Sequence, residues 1–194
     1  GVAAGRLLRK LRWVTLGPHF DWTRRRYHHE AQRRAGAEPF AALPAELAAL
    51  GAGAVERVRA AGGHLGGLEG PFAPDAALVN YYGVGDTLGG HVDDAERDLD
   101  QPIVTVSLGW DAVFLLGGAT RAEAPAALRV RSGDVLVLAG PARRCFHGCP
   151  RILEPEPEAG GLWERLGPGP LRDYVAAGSR VNVSIRRVAD APAA

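Results

Sequence analysis

The sequence predicts an α+β fold that is mainly β: a jelly roll of short antiparallel strands behind an amino-terminal segment that contains a helix. Two observations carry this expectation. From Ala76 onward, apolar residues recur at every second position, the spacing of half-buried strands, and Gly or Pro interrupts the pattern every few residues. Ahead of Ala76 the one long periodic stretch has helical spacing instead. Many short strands with turn signals suggest two packed sheets. Helices are therefore expected before the sheets and not between the strands.

Residues 1–36 carry aromatics among basic residues: Trp13, His19, Phe20 and Trp22, then Arg24-Arg25-Arg26-Tyr27-His28-His29 and Arg33-Arg34. Pro44 to Ala61 reads as an amphipathic helix, with Leu47, Leu50, Ala54 and Val58 on one face and Gly62-Gly63 ending it. Strands are expected at 77–83, 90–92, 103–108, 112–117, 127–131, 134–139, 146–148 and 180–188. Glu154 to Pro170 is rich in Pro, Gly and acid and is expected to be a loop. The organisation is a single domain: an amino-terminal segment 1–75 packed on a core 76–188, with a tail 189–194.

Composition narrows the function. With 46% hydrophobic and 23% charged residues in 194, the chain can bury a core of its own. No stretch approaches the ~20 apolar residues that span a bilayer, so no membrane partner is expected. A net charge of +1 carries no global nucleic-acid signature, so any such binding must come from local patches. Lys10 is the single Lys among 23 basic residues. Arg favours phosphate forks, but a GC-rich coding bias explains the excess equally well. The absence of Met, with Gly at position 1, suggests a fragment or processed form. Cys145 and Cys149 flank His147 in C-F-H-G-C; C-x3-C with no fourth ligand is a poor zinc site, so reduced thiols are expected.

The chemistry lies in His91-Val92-Asp93 and in His147, 54 residues after Asp93. Residues separated by one in an extended segment share a face, so an imidazole and a carboxylate stand together and a second imidazole arrives from a distant strand. Two His and one carboxylate on a face of a metal leave positions open, the arrangement of non-heme Fe(II) oxygenases. H-x-D alone is weak, because it is also what a surface histidine beside an acid looks like. The far end of the chain strengthens it. Arg180-Val181-Asn182-Val183-Ser184-Ile185-Arg186 alternates, with Arg180, Asn182, Ser184 and Arg186 on one face. A solvated outer face would explain that alternation; against this, Arg suits bidentate carboxylate binding. The two Arg lie about 20 Å apart along the strand, too far to grip one carboxylate together. Asn80 and Tyr82 likewise share a face and can donate to carboxylate oxygens, whereas Tyr81 points the other way.

Five stretches resemble the AlkB family of Fe(II)- and 2-oxoglutarate-dependent dioxygenases. They are L-V-N-Y-Y-G-V-G-D-T-L-G-G-H-V-D (Leu78 to Asp93), F-L-L-G-G (Phe114 to Gly118), R-S-G-D-V-L-V-L-A-G (Arg131 to Gly140), H-G-C-P-R (His147 to Arg151) and R-V-N-V-S-I-R. The opening L-R-W-V-T-L-G-P-H-F-D-W (Leu11 to Trp22) also resembles a nucleic-acid-oxidising member. The likeness spans about residues 11–188 and implies a double-stranded β-helix, with Fe(II) held by His91, Asp93 and His147 as the catalytic centre. It implies 2-oxoglutarate and O2 as co-substrates. The oxoacid would be lined by Asn80, Tyr81, Tyr82 and Asn182, with Arg180 on its distal carboxylate and Arg186 near the metal-side carboxylate.

The resemblance further implies that 1–75 recognises nucleotides through Trp13, Pro18, His19, Phe20 and Asp21. Arg24, Arg25, Arg26, Arg33 and Arg34 would meet phosphates, although charge runs are also common as solvated faces. Trp13 and Trp22 suit base stacking or a core equally. Ser184 stands where many members have Thr and keeps the hydroxyl; Ala95 replaces an acid that contacts the base in some members, which puts base selectivity in doubt. The implied substrates are methylated bases, mainly in tRNA (1-methyladenosine, 5-methylcytidine), with N6-methyladenine in DNA as a further one. The implied form is a monomer in mitochondrion and nucleus, with the cytoplasm as a further location. Three rivals stay open: the same chemistry on histones, other proteins or small molecules, an iron-independent abasic-site lyase using Lys10 or the terminal amine, and a metal-free binding module.

Overall fold

The computed structural model describes residues 10–28, 41–154, 167–176 and 178–189. His29, Arg33 and Arg34 of the basic run lie outside the described residues, as does most of the stretch from Glu154 to Pro170.

Two antiparallel sheets face each other. The larger has the order β1 (Trp13–Leu16), β4 (Ala76–Tyr82), β11 (Arg180–Arg186), β6 (Ile103–Gly109), β9 (Val135–Leu138). The smaller has the order β5 (Leu88–His91), β10 (His147–Ile152), β7 (Ala112–Leu116), β8 (Ala126–Val130). A separate hairpin pairs β2 (His19–Asp21) with β3 (Arg26–His28). This is the mainly β jelly roll expected from the period-2 pattern, and the double-stranded β-helix that the resemblance implies, with strand ends shifted by a few residues.

Alternation along β11 explains both faces of the large sheet. Val181, Val183 and Ile185 join Ala77 and Val79 of β4 and Val104 and Val106 of β6 in the main apolar core. Helix α1 (Ala45–Ala60) covers that core with Val55 fully buried, while Gly51 lets the helix approach the sheet: a Cβ there would meet Ile185 Cγ2 at 2.9 Å. The helix ends as expected, with Gly62 at φ +73° and the Gly63 N–H donating to the Val58 carbonyl at 2.8 Å. Leu50 was expected on the buried face and is exposed, because the Gly51–Val55 stripe is the one turned to the sheet.

Three expectations need correction. The amino-terminal segment contributes strands as well as a helix: β1 pairs with β4 from Trp13↔Asn80 to Leu16↔Ala77, extending the main sheet. A second helix, α2 (Pro170–Ala176), lies between β10 and β11, where no helix was expected. Pro at a first helical position is compatible with a helix, so the Pro- and Gly-rich run before it disguised the start. Tyr81, grouped with the co-substrate residues, packs edge-on against Tyr174 of α2 at 5.8 Å on the opposite face of β4 from Asn80 and Tyr82.

Candidate metal and co-substrate site

The polar face of β11 points inward. Arg180, Ser184 and Arg186 are buried, and with Asn182 they line a cavity of about 370 Å³ between the two sheets, opposite His147 and His91. The solvated-face reading of this strand therefore fails.

Register assembles the three candidate ligands. His91 of β5 and His147 of β10 are direct cross-strand partners, with ring centroids 4.4 Å apart. The strands come this close because residue 148 is Gly; a Cβ there would meet the Leu88 carbonyl oxygen at 2.9 Å. Asp93 follows β5 by two residues and places its carboxylate 3.7 Å from His91 Nε2 and 3.9 Å from His147 Nε2. One ligand atom from each of the three lies within 4.8 Å of the others. The remaining ring nitrogens are anchored: His91 Nδ1 faces the Gly89 carbonyl at 2.9 Å and His147 Nδ1 the Cys145 carbonyl at 3.2 Å. Carbonyls only accept, so each Nδ1 carries the proton and each Nε2 lone pair faces the cluster.

The electrostatics favour a cation. Burial lowers His147 more than the neighbouring Asp93 carboxylate raises it, so the ring is held neutral. For Asp93, burial raises the carboxyl, but Arg186 leads a set of nearby positive groups that outweighs burial and keeps it ionised. Neutral imidazoles and an ionised carboxylate are the forms that bind metal. The donor set fits Fe(II).

At the other end of the cavity Arg180 is 4% exposed. Its Nη2 donates to Ser107 Oγ at 2.8 Å, while Nε and Nη1 find no partner among the described residues. A buried guanidinium with two idle donors lacks the anion its fork is shaped for. Asn80, Tyr82, Thr105, Asn182 and Ser184 surround this polar end, and burial keeps the Tyr82 hydroxyl protonated and able to donate. The dicarboxylate 2-oxoglutarate fits this end as Fe(II) fits the other. Arg186 is placed differently from Arg180: it lines the cavity but is ion-paired to Asp93 at 3.3 Å and to Glu96 at 2.7 Å.

The recognition residues divide. Phe20 and Arg25 line the cavity; Trp13, Pro18, His19, Asp21, Arg24 and Arg26 do not. Alternation along β2 turns Phe20 inward and its neighbours outward. Asp21 instead holds the hairpin turn: its Oδ1 accepts the Thr23 and Arg24 N–H groups at 2.9 and 3.0 Å, and its Oδ2 meets Arg24 and His28. Trp13 stacks on His19 and braces Trp22 edge-on at 5.4 Å. Trp22 is 53% exposed at the cavity mouth, so it is no core residue, and Tyr27 lines the wall beneath it. Neither was assigned to the site from sequence, although the aromatic alternation Phe20-x-Trp22 was there to be read. Ala95 also lines the cavity, and the adjacent Asp94 is paired with Arg25 at 2.9 Å. Lys10, which a Schiff-base mechanism would call on, is exposed and does not line the cavity.

Known proteins point the same way. Residues 3–186 match the family model of the 2OG-Fe(II) oxygenase superfamily. The chain is 44% identical over 192 residues to the DNA N(6)-methyladenine demethylase ALKBH1A of Arabidopsis thaliana, covering 96% of this chain and 51% of that protein. It is 40% identical over 156 residues to the nucleic acid dioxygenase ALKBH1 of Homo sapiens, covering 80% of this chain and 36% of that protein. The chain thus spans about half of the first relative's length and about a third of the second's. The solved structure of OsALKBH1 superposes with a TM-score of 0.67 at 28% identity, over 90% of this chain and 77% of that one. A two-His, one-carboxylate cluster, a buried arginine awaiting an anion and a family match over nearly the whole chain converge: this protein belongs to the 2OG-Fe(II) oxygenase superfamily and, within it, to the AlkB family.

Proposed function

We propose that the chain is an Fe(II)- and 2-oxoglutarate-dependent nucleic acid dioxygenase that hydroxylates or demethylates methylated bases. The observation that carries this reading is the shared cavity: three metal-ligand side chains at one end and the Arg180 guanidinium with two idle donor nitrogens at the other, under an aromatic and basic mouth. When bound, iron, 2-oxoglutarate and O2 supply an oxidation that hydroxylates a substrate carbon while the oxoacid loses CO2 and becomes succinate. The protein's own share is placement. His91, Asp93 and His147 present three donors from one side, and Arg180 with Tyr82 and Asn80 sets the oxoacid's orientation from its far carboxylate. Phe20, Trp22 and Tyr27 offer ring faces to an extruded base, and Arg25 can exchange Asp94 for a phosphate. An N-methyl carbon hydroxylated there yields a hemiaminal, which releases formaldehyde.

Methylated tRNA bases (1-methyladenosine, 5-methylcytidine) are the proposed main substrates, with N6-methyladenine in DNA as a further one. Relatives named as a tRNA demethylase and as a DNA N(6)-methyladenine demethylase support this substrate class. The proposed form is a monomer of mitochondrion and nucleus, in keeping with the family resemblance. Among the described residues no helix is long and apolar enough to cross a membrane.

Succinate and formaldehyde release with a methylated stem-loop RNA, a methylated DNA strand and a methylated histone peptide tests the reading. Turnover with nucleic acid that disappears in His91→Ala and Asp93→Ala is the expected result; turnover with the peptide alone would overturn it. Strand cleavage at an abasic site without iron would favour the lyase alternative.

A further inference from the structure

A buried ionic chain joins the β2–β3 hairpin to the metal-ligand carboxylate. Glu96 is at its centre, and its side chain and that of Arg143 are each 1% exposed. Arg143 Nη2 donates to Glu96 Oε2 at 2.8 Å, and Arg186 Nη1 donates to Oε1 at 2.7 Å. Arg186 Nη2 continues to Asp93 Oδ2 at 3.3 Å. From the other side the Tyr27 hydroxyl, on β3, donates to Glu96 Oε1 at 3.1 Å and lies 3.3 Å from Arg186 Nη1. Arg143 also fixes the loop after β5, donating to the carbonyl of Asp93 and, at 3.0 Å, to that of Gln101.

Counting charges shows what Glu96 does. Two guanidinium cations meet two carboxylates, so the cluster is balanced before any metal arrives. With Glu96 neutral, Arg186 would have Asp93 as its one anion, in a buried site where attraction is weakly screened. It would then compete with the metal for that carboxylate. The arrangement also leaves Asp93 Oδ1 outside the Arg186 contact, turned towards His91.

We propose that Glu96 is a positioning residue which, acting through Arg186, keeps Asp93 available to the metal, and that the Tyr27 hydroxyl ties this positioning to the β2–β3 hairpin. Metal affinity and hairpin placement are then energetically coupled, and the coupling is reciprocal. The proposal rests on the metal reading of His91, Asp93 and His147.

The test uses Mn(II), added without oxygen or co-substrate to the whole chain and followed by electron paramagnetic resonance, with Glu96→Gln and Tyr27→Phe as variants. Loss of a hydrogen-bonded support beneath a metal ligand weakens binding by roughly 10- to 100-fold, which is the expected result for Glu96→Gln together with a changed Mn(II) line shape. Tyr27→Phe keeps the ring and every charge and is expected to weaken binding by roughly 3- to 10-fold, at the mild end of such effects. A purely structural role for either residue would lower the melting temperature of the metal-free chain but leave the line shape and affinity of the folded protein unchanged. Both variants binding Mn(II) within about twofold of the parent would overturn the proposal. If Glu96→Gln does not fold, Tyr27→Phe decides alone. A parent chain that binds no Mn(II) overturns the metal reading and this proposal together; a parent that binds, with variants equal to it, overturns only the latter.

Discussion

Arg180 and Glu96 are both buried charges, yet their surroundings assign them opposite consequences. Glu96 has three partners; Arg180 has no carboxylate partner among the described residues and two idle donors. Leaving buried donors unsatisfied costs about 1–3 kcal/mol, so Arg180→Met is expected to raise the melting temperature of the ligand-free chain. The same change should raise the 2-oxoglutarate requirement by roughly 10-fold or more, the scale of a charge-assisted hydrogen bond. Thermal melts and co-substrate titrations check the two halves separately, and a variant less stable than its parent would contradict the idle-fork picture. Acid should act in two stages. Burial holds His147 below 6.5 in the folded chain, so the unfolded chain binds more protons as pH falls past that value, and stability declines there. Burial raises Asp93 and Glu96, but Arg186 and the positive groups beside it hold them below 3.8 and 4.5; the stability they confer is complete above those values and is lost as pH falls from them through the depressed folded values. Urea midpoints at about pH 7.5, 5.5 and 3 should fall progressively. At this scale the pairing of His91 with Asp93 and the shared face of Arg180 and Arg186 were legible from alternation, while the joining of His147 to the pair and the role of Arg180 rested on the family resemblance. Glu96 and Arg143 were legible from neither: in Asp93-Asp94-Ala95-Glu96-Arg97-Asp98 a buried acid reads like any solvated loop charge.

Elements position these groups through register. The β5–β10 pair sets His91 against His147, and Gly148 permits its closeness. Gly148→Ala should push β5 outward and separate the two rings, weakening Mn(II) binding by roughly 10-fold or more while leaving the large sheet intact. A metal titration with a circular dichroism spectrum alongside checks this, and unchanged affinity would show that the strand can yield without moving His91. The strands from Ala76 onward were legible because apolar residues recur there at every second position, whereas β1 of the large sheet was not. The β2–β3 hairpin escaped because three-residue strands are too short to show a period, and its Arg-rich turn resembles a solvated run. Helix α2 escaped because Pro and Gly precede it, and Tyr174 and Val175 reveal its buried face only against Tyr81 and the main core.

Over the whole molecule the two sheets enclose a cavity whose lining mixes apolar side chains such as Ile103, Phe114 and Leu138 with the buried polar groups of β11. The main apolar core lies on the far side of the large sheet beneath α1, and a second cluster around Ala112, Val130 and Ile152 packs the small sheet, so the cavity can keep unsatisfied groups without endangering the framework. Ligands that satisfy those groups should therefore stabilise strongly. At 100 times their dissociation constants, binding adds about 2.7 kcal/mol, or roughly 5–10 °C in melting temperature for a chain of this size. Mn(II) with 2-oxoglutarate is expected to produce that rise, and a chelator to abolish it; a melting curve indifferent to both would exclude a functional cavity. β5 occupies an outer position in the small sheet, with β10 as its single neighbour. One of the three metal donors thus sits on a strand whose other edge carries no partner strand among the described residues. A bound ion would act there as a clasp, closing a seam that backbone hydrogen bonds secure from one side only. Loss of iron would then register first as fraying of the Leu88–His91 rim, so that amide exchange and protease nicking there would distinguish loaded from empty protein before the rest of the fold responds.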